Sequence, residues 1–308
     1  MRAAVVDVGS NSIKLLVVDA RPDGRLTEVR SQTIEARISA GISSTSPKLG
    51  TDGIQRGVAA IANLAAEARG LGAERTAAVA TSAVRDASNG GEFREKVRAA
   101  TGIDLRILTG PEEAGLIGRG LMTDPALHGL DEFRVFDLGG GSLECLAFRG
   151  RAIDRALSLP LGCVRLTELF VPEPSAKFSE GSARKIGDWV KAALLASGFP
   201  LPVSDTDTVV GTGGTLTTVR AMAAAARNVA LTEIRPEISV AFLRETLAAV
   251  GSRDLEHRRT IPGLPPGRAD VFPAALATLL EVAELGQFST FLHSFRNLRW
   301  GVASELFG

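Results

Sequence analysis

A ten-residue pattern occurs twice in this chain, and the repetition narrows the folds open to it. Asp7-Val8-Gly9-Ser10-Asn11-Ser12-Ile13-Lys14-Leu15-Leu16 aligns with Asp137-Leu138-Gly139-Gly140-Gly141-Ser142-Leu143-Glu144-Cys145-Leu146. Asp, Gly, Ser and the last Leu match in register, and each copy follows a short apolar, β-rich run. Strand, Gly-rich turn and strand predict a hairpin in each copy. Each sets a carboxylate at a strand end, then a turn whose backbone N–H groups can face an anion, then a hydroxyl. This is not a Walker loop, because no GxxxxGK[ST] occurs and a strand, not a helix, follows. Ordinary hairpin turns account for one such copy more readily than for two. Two hairpins, one per domain, are expected to face each other across a cleft and clamp phosphates.

The flanking sequence alternates strand and helix. From Asp52, the spacing of Ile54, Val58, Ile61, Leu64 and Ala68 predicts an amphipathic helix that stops at Gly70. A strand at 76–80, a helix at 91–100, a strand at 104–108 and a helix opening at Pro111 follow, so the class is α/β. Periodicity fades over 122–133, which predicts a linker and domains of 1–122 and 123–297. Helices are expected at 178–197, 214–226, 238–250, 270–285 and 298–306.

Composition removes several functions. Hydrophobic residues are 45% of 308, enough for a sizeable core and too many for a disordered chain. Lys plus Arg equals Asp plus Glu at 35 each, so no global field draws the chain to nucleic acid or a membrane. A polyanion would need a local basic patch. His128, His257 and His293 form no HxH or HExxH pair, and no Cys cluster joins them, so a metal would be held by oxygen ligands. Cys145 and Cys163 lie in apolar stretches and read as free buried thiols. Asp7 cuts short the apolar start, and no window approaches the ~20 apolar residues of a membrane span, so a cytoplasmic protein is expected.

Seven collinear stretches then carry a resemblance: DVGSNSIKLLV (7–17), ATSAVRDASNGGEF (80–93), ILTGPEEAGLIGRG (107–120), VFDLGGGSLE (135–144), SLPLGCVRLTE (158–168), VVGTGGTLTTV (209–219) and IPGLPPGRAD (261–270). In these the chain resembles the exopolyphosphatase/guanosine pentaphosphate phosphohydrolase (Ppx/GppA) family of the actin-like ATPase superfamily. The resemblance implies two ribonuclease-H-like domains flanking a cleft, with the C-terminal helix (298–308) packing back on the first. It also implies removal of a terminal phosphate from inorganic polyphosphate or guanosine pentaphosphate with Mg2+ or Mn2+, and a homodimer is what the family suggests. Longer relatives carry extra C-terminal helical domains. Where the family reads S-x-x-G-L-R-x-G, this chain has Ser294 to Gly301 with Asn297 in the first Gly position, and Asn is able to take the left-handed conformation.

The resemblance makes Glu113, the second Glu of G-x-E-E-A, the catalytic base that activates water. The competing reading is helix capping, since Thr109-Gly110-Pro111-Glu112 is a capping-box pattern that explains Glu112 better than Glu113. Arg85 would stabilise charge on the transferred phosphoryl group, against an ion pair with Asp86 or Glu92. Asp137 and Glu144 are the expected metal ligands, with Asp7 supporting through water or simply capping its turn. Ser10, Asn11, Gly140, Gly141 and Ser142 should hold phosphate oxygens. Gly213, in the third Gly-rich loop, and Arg268, after a Pro-rich loop, are further anion contacts, and Arg165, Arg258, Arg259 and Arg299 are candidates for a basic track. A superfamily kinase and a non-catalytic sensor of polyphosphate or guanosine alarmones are the alternatives.

Overall fold

The computed structural model describes residues 1–39, 41–201 and 207–308. Among these, the chain forms two compact units, Met1–His128 with Arg296–Gly308, and Gly129–Phe295.

The first unit contains β1 (Arg2–Val8), β2 (Ile13–Ala20), β3 (Leu26–Ile34), α1 (Thr51–Gly70), β4 (Arg75–Ala80), α2 (Ser82–Arg85), α3 (Gly90–Thr101), β5 (Leu105–Ile107) and α4 (Gly110–Met122). Its sheet runs β3-β2-β1-β4-β5. The first three strands form an antiparallel meander, whereas β1, β4 and β5 are parallel. Ala3 to Val6 and Val8 of β1 are all fully buried, the near-continuous apolar run of a central strand covered on both faces. The helix α1 packs on one part of this sheet through Ile61, Leu64 and Ala68, while the C-terminal helix (Leu298–Phe307) packs on α4, β1 and β2. Glycines permit that return. A Cβ on Gly120 would strike the Asn297 carbonyl, and one on Gly301 would strike the Leu116 carbonyl. Glu305 ties the helix down by pairing with Arg106 at 3.1 Å and Arg119 at 3.0 Å.

The unit extends past the expected boundary at 122. Pro125–Leu127 forms a 3-10 turn against α4, capped by the Asp124 side chain, and Leu127 is buried. What looked like a linker is therefore part of unit 1 as far as His128. Asn297 also departs from expectation. Its φ of −147° is not left-handed, so the turn there does not use the conformational freedom that Gly would supply.

The second unit contains β6 (Phe133–Leu138), β7 (Leu143–Arg149), β8 (Ala152–Leu159), α5 (Cys163–Phe170), α6 (Glu180–Ser197), β9 (Thr208–Thr212), α7 (Gly214–Arg227), β10 (Glu237–Ser239), α8 (Val240–Gly251), α9 (Leu255–Arg259), α10 (Phe272–Gly286) and β11 (Thr290–His293). Its sheet order is β10-β11-β9-β6-β7-β8. Without the added edge strand β10, both sheets have one plan: a three-stranded meander whose first strand is followed by two parallel neighbours. The sequence repeat is thus a repeat of topology.

The meander edges β3 and β8 carry no clear strand signal in the sequence. Residues 28–31 of β3 and 152–155 of β8 are all exposed, without the alternation of buried and exposed positions that marks a half-buried strand. Their pairing partners, rather than their own pattern, hold them extended.

Candidate active site

In each unit the candidate residues converge on one edge of the sheet, beyond the carboxyl ends of the parallel strands, where open α/β sheets present their ligand sites. In unit 1, β1 delivers Asp7 and the Gly9–Ser12 turn, β4 delivers α2 with Arg85, and β5 delivers the first turn of α4 with Glu113. Residues far apart in sequence meet because these strands are adjacent.

The two consecutive glutamates of α4 separate cleanly by role. Glu112 closes a capping box. Its Oε2 accepts from Thr109 N at 2.8 Å, and its own N–H donates to Thr109 Oγ1 at 3.3 Å. With Arg106 also paired to it at 3.0 Å, its carboxyl is held down at about 2, the backbone hydrogen bond from Thr109 being the largest cause. The Glu113 side chain is not the capping-box partner and is buried, at 5% exposure. Its Oε2 accepts from Arg85 Nη1 at 2.7 Å, and the same nitrogen donates to the Leu108 carbonyl at 3.2 Å. Arg85 also pairs with Asp86 through Nε at 3.4 Å, whereas Glu92 pairs with Lys96.

The turn of unit 1 is closed by Gly9 N donating to Ser12 O at 3.1 Å. Its carbonyls are taken from behind: Ser39 Oγ donates to Ser10 O at 3.0 Å and Arg37 N to Asn11 O at 2.9 Å. Ser10 Oγ lies 3.5 Å from Ser82 Oγ on α2, which joins the turn to the Arg85 element.

The turn of unit 2 repeats this construction with different parts. Gly139 N donates to Ser142 O at 3.0 Å. The first N–H groups of α5 engage the carbonyls, Cys163 N to Gly139 O at 3.0 Å and Val164 N to Gly140 O at 2.8 Å. Arg165 Nε donates to Gly141 O at 3.1 Å. With its carbonyls occupied, such a turn has N–H groups left for an anion.

Between the copies the charges differ at one position. Across the β1–β2 hairpin Asp7 faces Lys14; across β6–β7 Asp137 faces Glu144. Burial raises the Asp7 carboxyl, while Lys14 and then Arg299 oppose the rise. Within unit 1, Asp7 therefore has a cation opposite, not a second acid. In unit 2 the row continues: Asp137 is paired with Thr212 on β9. Side chains in one row of a sheet share a face. Glu144, Asp137 and Thr212 thus lie side by side at 2%, 6% and 1% exposure. Ser158 Oγ donates to Glu144 Oε1 at 2.8 Å, and the buried Thr212 Oγ1 makes no hydrogen bond. Gly213, at φ +96°, lies hard against Asp137; a Cβ there would sit 2.5 Å from Asp137 Oδ1. Arg268 covers the next residue, where a Cβ on Gly214 would strike its guanidinium, and its Nη2 is 3.5 Å from Thr215 Oγ1. A 3-10 turn at Pro266–Arg268 sets that approach.

Unit 2 accordingly gathers Gly140, Gly141, Ser142, Asp137, Glu144, Gly213 and Arg268, and unit 1 gathers Ser10, Asn11, Asp7, Arg85 and Glu113. The basic track is corrected at two arginines. Arg258 is fully buried and donates to the carbonyls of Ala269, Pro174 and Ala176. Arg299 donates to Leu15 O and Ser31 Oγ. Both are consumed by the scaffold. Arg259 pairs with Glu256 at 2.7 Å on the surface. Sequence reasoning passed over Ser82, Ser158 and Thr212. Each stands inside or beside a Gly-rich or family-like stretch, but small hydroxyl residues carry no pattern of their own. Cys145 and Cys163 are free and buried, as expected.

Two α/β units with one sheet plan, each with a carboxylate and a Gly-containing turn at the end of its first strand, define a two-domain protein of the actin-like ATPase superfamily. The chain belongs to the Ppx/GppA phosphatase family, whose model matches residues 17–306. Exopolyphosphatase 1 of Mycobacterium tuberculosis is 30% identical over 310 residues, 99% of this chain and 87% of that protein. Guanosine-5'-triphosphate,3'-diphosphate pyrophosphatase of Vibrio atlanticus is 28% identical, over 98% of this chain and 59% of that protein. The crystal structure of the Aquifex aeolicus Ppx/GppA family member superposes with a TM-score of 0.78 at 25% identity, covering 100% of this chain and 97% of that one. An exopolyphosphatase structure from Cytophaga hutchinsonii shares the fold at a TM-score of 0.88 and 21% identity, over 99% of this chain and 97% of that one.

Proposed function

We propose that the chain is a phosphohydrolase that releases terminal phosphate from a phosphoanhydride chain, with inorganic polyphosphate as the first substrate and guanosine pentaphosphate as the second. One observation carries the reading. Of two adjacent glutamates, Glu112 closes the capping box, while the Glu113 carboxylate is buried and is oriented by Arg85. A carboxylate kept out of bulk water and fixed in direction is what activation of a water requires. The relatives support the order of substrates. The Mycobacterium proteins named exopolyphosphatase match over most of their length, whereas this chain covers 59% of the Vibrio pyrophosphatase.

In this mechanism Glu113 accepts a proton from a water whose oxygen bonds to the terminal phosphorus as the phosphoanhydride P–O bond breaks, the shortened chain leaving as its phosphate anion. Arg85 orients Glu113 and donates to the phosphoryl oxygens as charge spreads over them. Each unit is assigned its own phosphate contacts: the turn N–H groups with Ser10 and Asn11 in unit 1, and the turn N–H groups with Ser142 and Arg268 in unit 2.

The residues of unit 2 fit a divalent cation. Two opposed buried carboxylates beside the orphaned Thr212 Oγ1 supply oxygen donors, and among the described residues no third acidic, His or Cys ligand joins them. That small set suits magnesium or manganese, which bind by one or two carboxylates plus water and substrate phosphates. When bound, the cation would neutralise phosphoryl charge. Asp137 and Glu144 would hold it, with Ser158 orienting Glu144.

The test is phosphate release with Mg2+ on short polyphosphate, long polyphosphate and guanosine pentaphosphate at matched terminal-phosphate concentration. Release from at least one is the expected result. Silence on all three, with binding intact, overturns the assignment.

A further inference from the structure

Unit 2 buries an arginine and a histidine next to each other, and neither has a part in the reaction described above. Arg220 is 5% exposed and His293 4% exposed. Among the described residues Arg220 makes no ion pair, so its charge is not balanced at contact distance by a carboxylate. A buried guanidinium is costly unless its donors are satisfied. Its partners are the His293 ring, the Ile234 carbonyl and the face of Phe295, 4.7 Å from the guanidinium carbon.

The hydrogen bonds from Arg220 onward run in a single direction. Arginine is only a donor, so the 3.1 Å contact of Arg220 Nη1 with His293 Nδ1 makes Nδ1 the acceptor. The ring proton is therefore on Nε2, which lies 3.3 Å from Thr217 Oγ1 and donates to it. The Thr217 hydroxyl, accepting there, donates to the Gly213 carbonyl at 3.0 Å. Burial and the adjacent Arg220 charge hold the imidazole pKa down at about 3, so the ring is neutral and the order of donors is stable at ordinary pH. The last acceptor, Gly213, abuts Asp137 and is the N-cap of α7, a 14-residue helix whose first residue, Gly214, lies against the Arg268 guanidinium.

We propose that Arg220, His293 and Thr217 form a positioning chain for the Gly213 loop, which makes His293 a positioning residue for the phosphate-handling edge of unit 2. The chain fixes the orientation of the Gly213 peptide, and with it the distance between the α7 N-terminus and Asp137. His293 reaches the loop from β11 because that strand is hydrogen-bonded to β9, with Ser294 N donating to Gly211 O at 3.1 Å. Its effect on turnover rests on the phosphohydrolase reading; its effect on the loop does not.

The test uses Thr217→Val, which keeps the shape and removes the hydroxyl, and Thr217→Ser, which restores it. Hydrogen exchange over residues 209–217 and the kinetic constants on polyphosphate are measured for each. Thr217→Val should speed exchange in that segment and lower kcat by ~10-fold with KM little changed, as for loss of an outer-shell partner. Thr217→Ser should lie near wild type in both. His293→Leu should lower kcat to a similar degree and add little in the Thr217→Val background, because both break one chain. If His293→Leu does not fold, the two Thr217 variants carry the test alone. Unchanged exchange and kcat in Thr217→Val, or independent multiplication of the two losses, overturns the proposal. A wild-type protein inactive on every substrate would remove the phosphohydrolase reading, yet exchange would still judge the chain.

Discussion

Arg85 Nη1 stands 2.7 Å from Glu113 Oε2, a pair that joins the end of α2 to the first turn of α4 across 28 residues of sequence. The Glu113 side chain is 7% exposed and that of Arg85 22%, so the bond is shielded from water on the carboxylate side. It holds Glu113 Oε2 in place.

Glu113→Gln should reduce phosphate release by ~10²-fold or more, the range for loss of a general base, while polyphosphate still binds. Neutral Gln keeps a carbonyl oxygen for Arg85. Binding is read by calorimetry and turnover by phosphate release. Near-wild-type turnover would refute the role.

Arg85→Ala should cost both activity and stability, because Glu113 is then buried without its partner. Pairing it with Glu113→Gln should recover part of the stability, giving a coupling of about 1–3 kcal/mol in a urea-denaturation cycle. Additive losses would show that the two side chains act separately.

Removal of divalent cations with a chelator should stop phosphate release, and Mg2+ or Mn2+ should restore it. In thermal melts, metal at a hundred times its Kd should stabilise the wild type by ~2.7 kcal/mol. Asp137→Asn and Glu144→Gln should show little or none of that gain. An equal gain in both variants would place the cation elsewhere.

Gly213→Ala and Gly214→Ala should part company. The first forces a side chain into φ +96° and against Asp137, at a cost of about 1–3 kcal/mol and most of the activity. At Gly214 the new methyl meets only the far end of the Arg268 side chain, which can move. Stability should stay within about 1 kcal/mol of wild type, since Ala is the better helix former, while KM for polyphosphate rises as Arg268 is displaced.

The His293 ring should make the fold acid-sensitive. Its pKa falls from 6.5 to about 3 in the folded chain, so between those values the unfolded chain binds the extra proton. Stability from this group is complete above pH 6.5 and is lost as pH falls toward 3, at up to ~1.4 kcal/mol per pH unit. Urea titrations at pH 7.5, 6.0 and 5.0 should show a steeper loss for wild type than for His293→Asn. Parallel losses would mean that the ring is already protonated in the fold.

What the sequence determined by itself was local or repeated. The Asp–Gly–Ser hairpins, the helices read from Asp52 and Pro111, and the assignment of Glu112 to a cap follow from contacts between residues a few positions apart, which periodicity and capping patterns record directly. The Lys14/Glu144 difference was also written there, at matched positions of the two copies, and it marks the copy with two opposed acids. The tertiary structure alone decided the rest. The order of strands brings Arg85 to Glu113 and Arg268 to Gly214, withdraws Arg258 and Arg299 into the scaffold, and sets His293 against Thr217. These pairings join residues 11 to 284 positions apart. No spacing rule encodes them, because each depends on which strand edges hydrogen-bond and therefore on the packing of the whole unit.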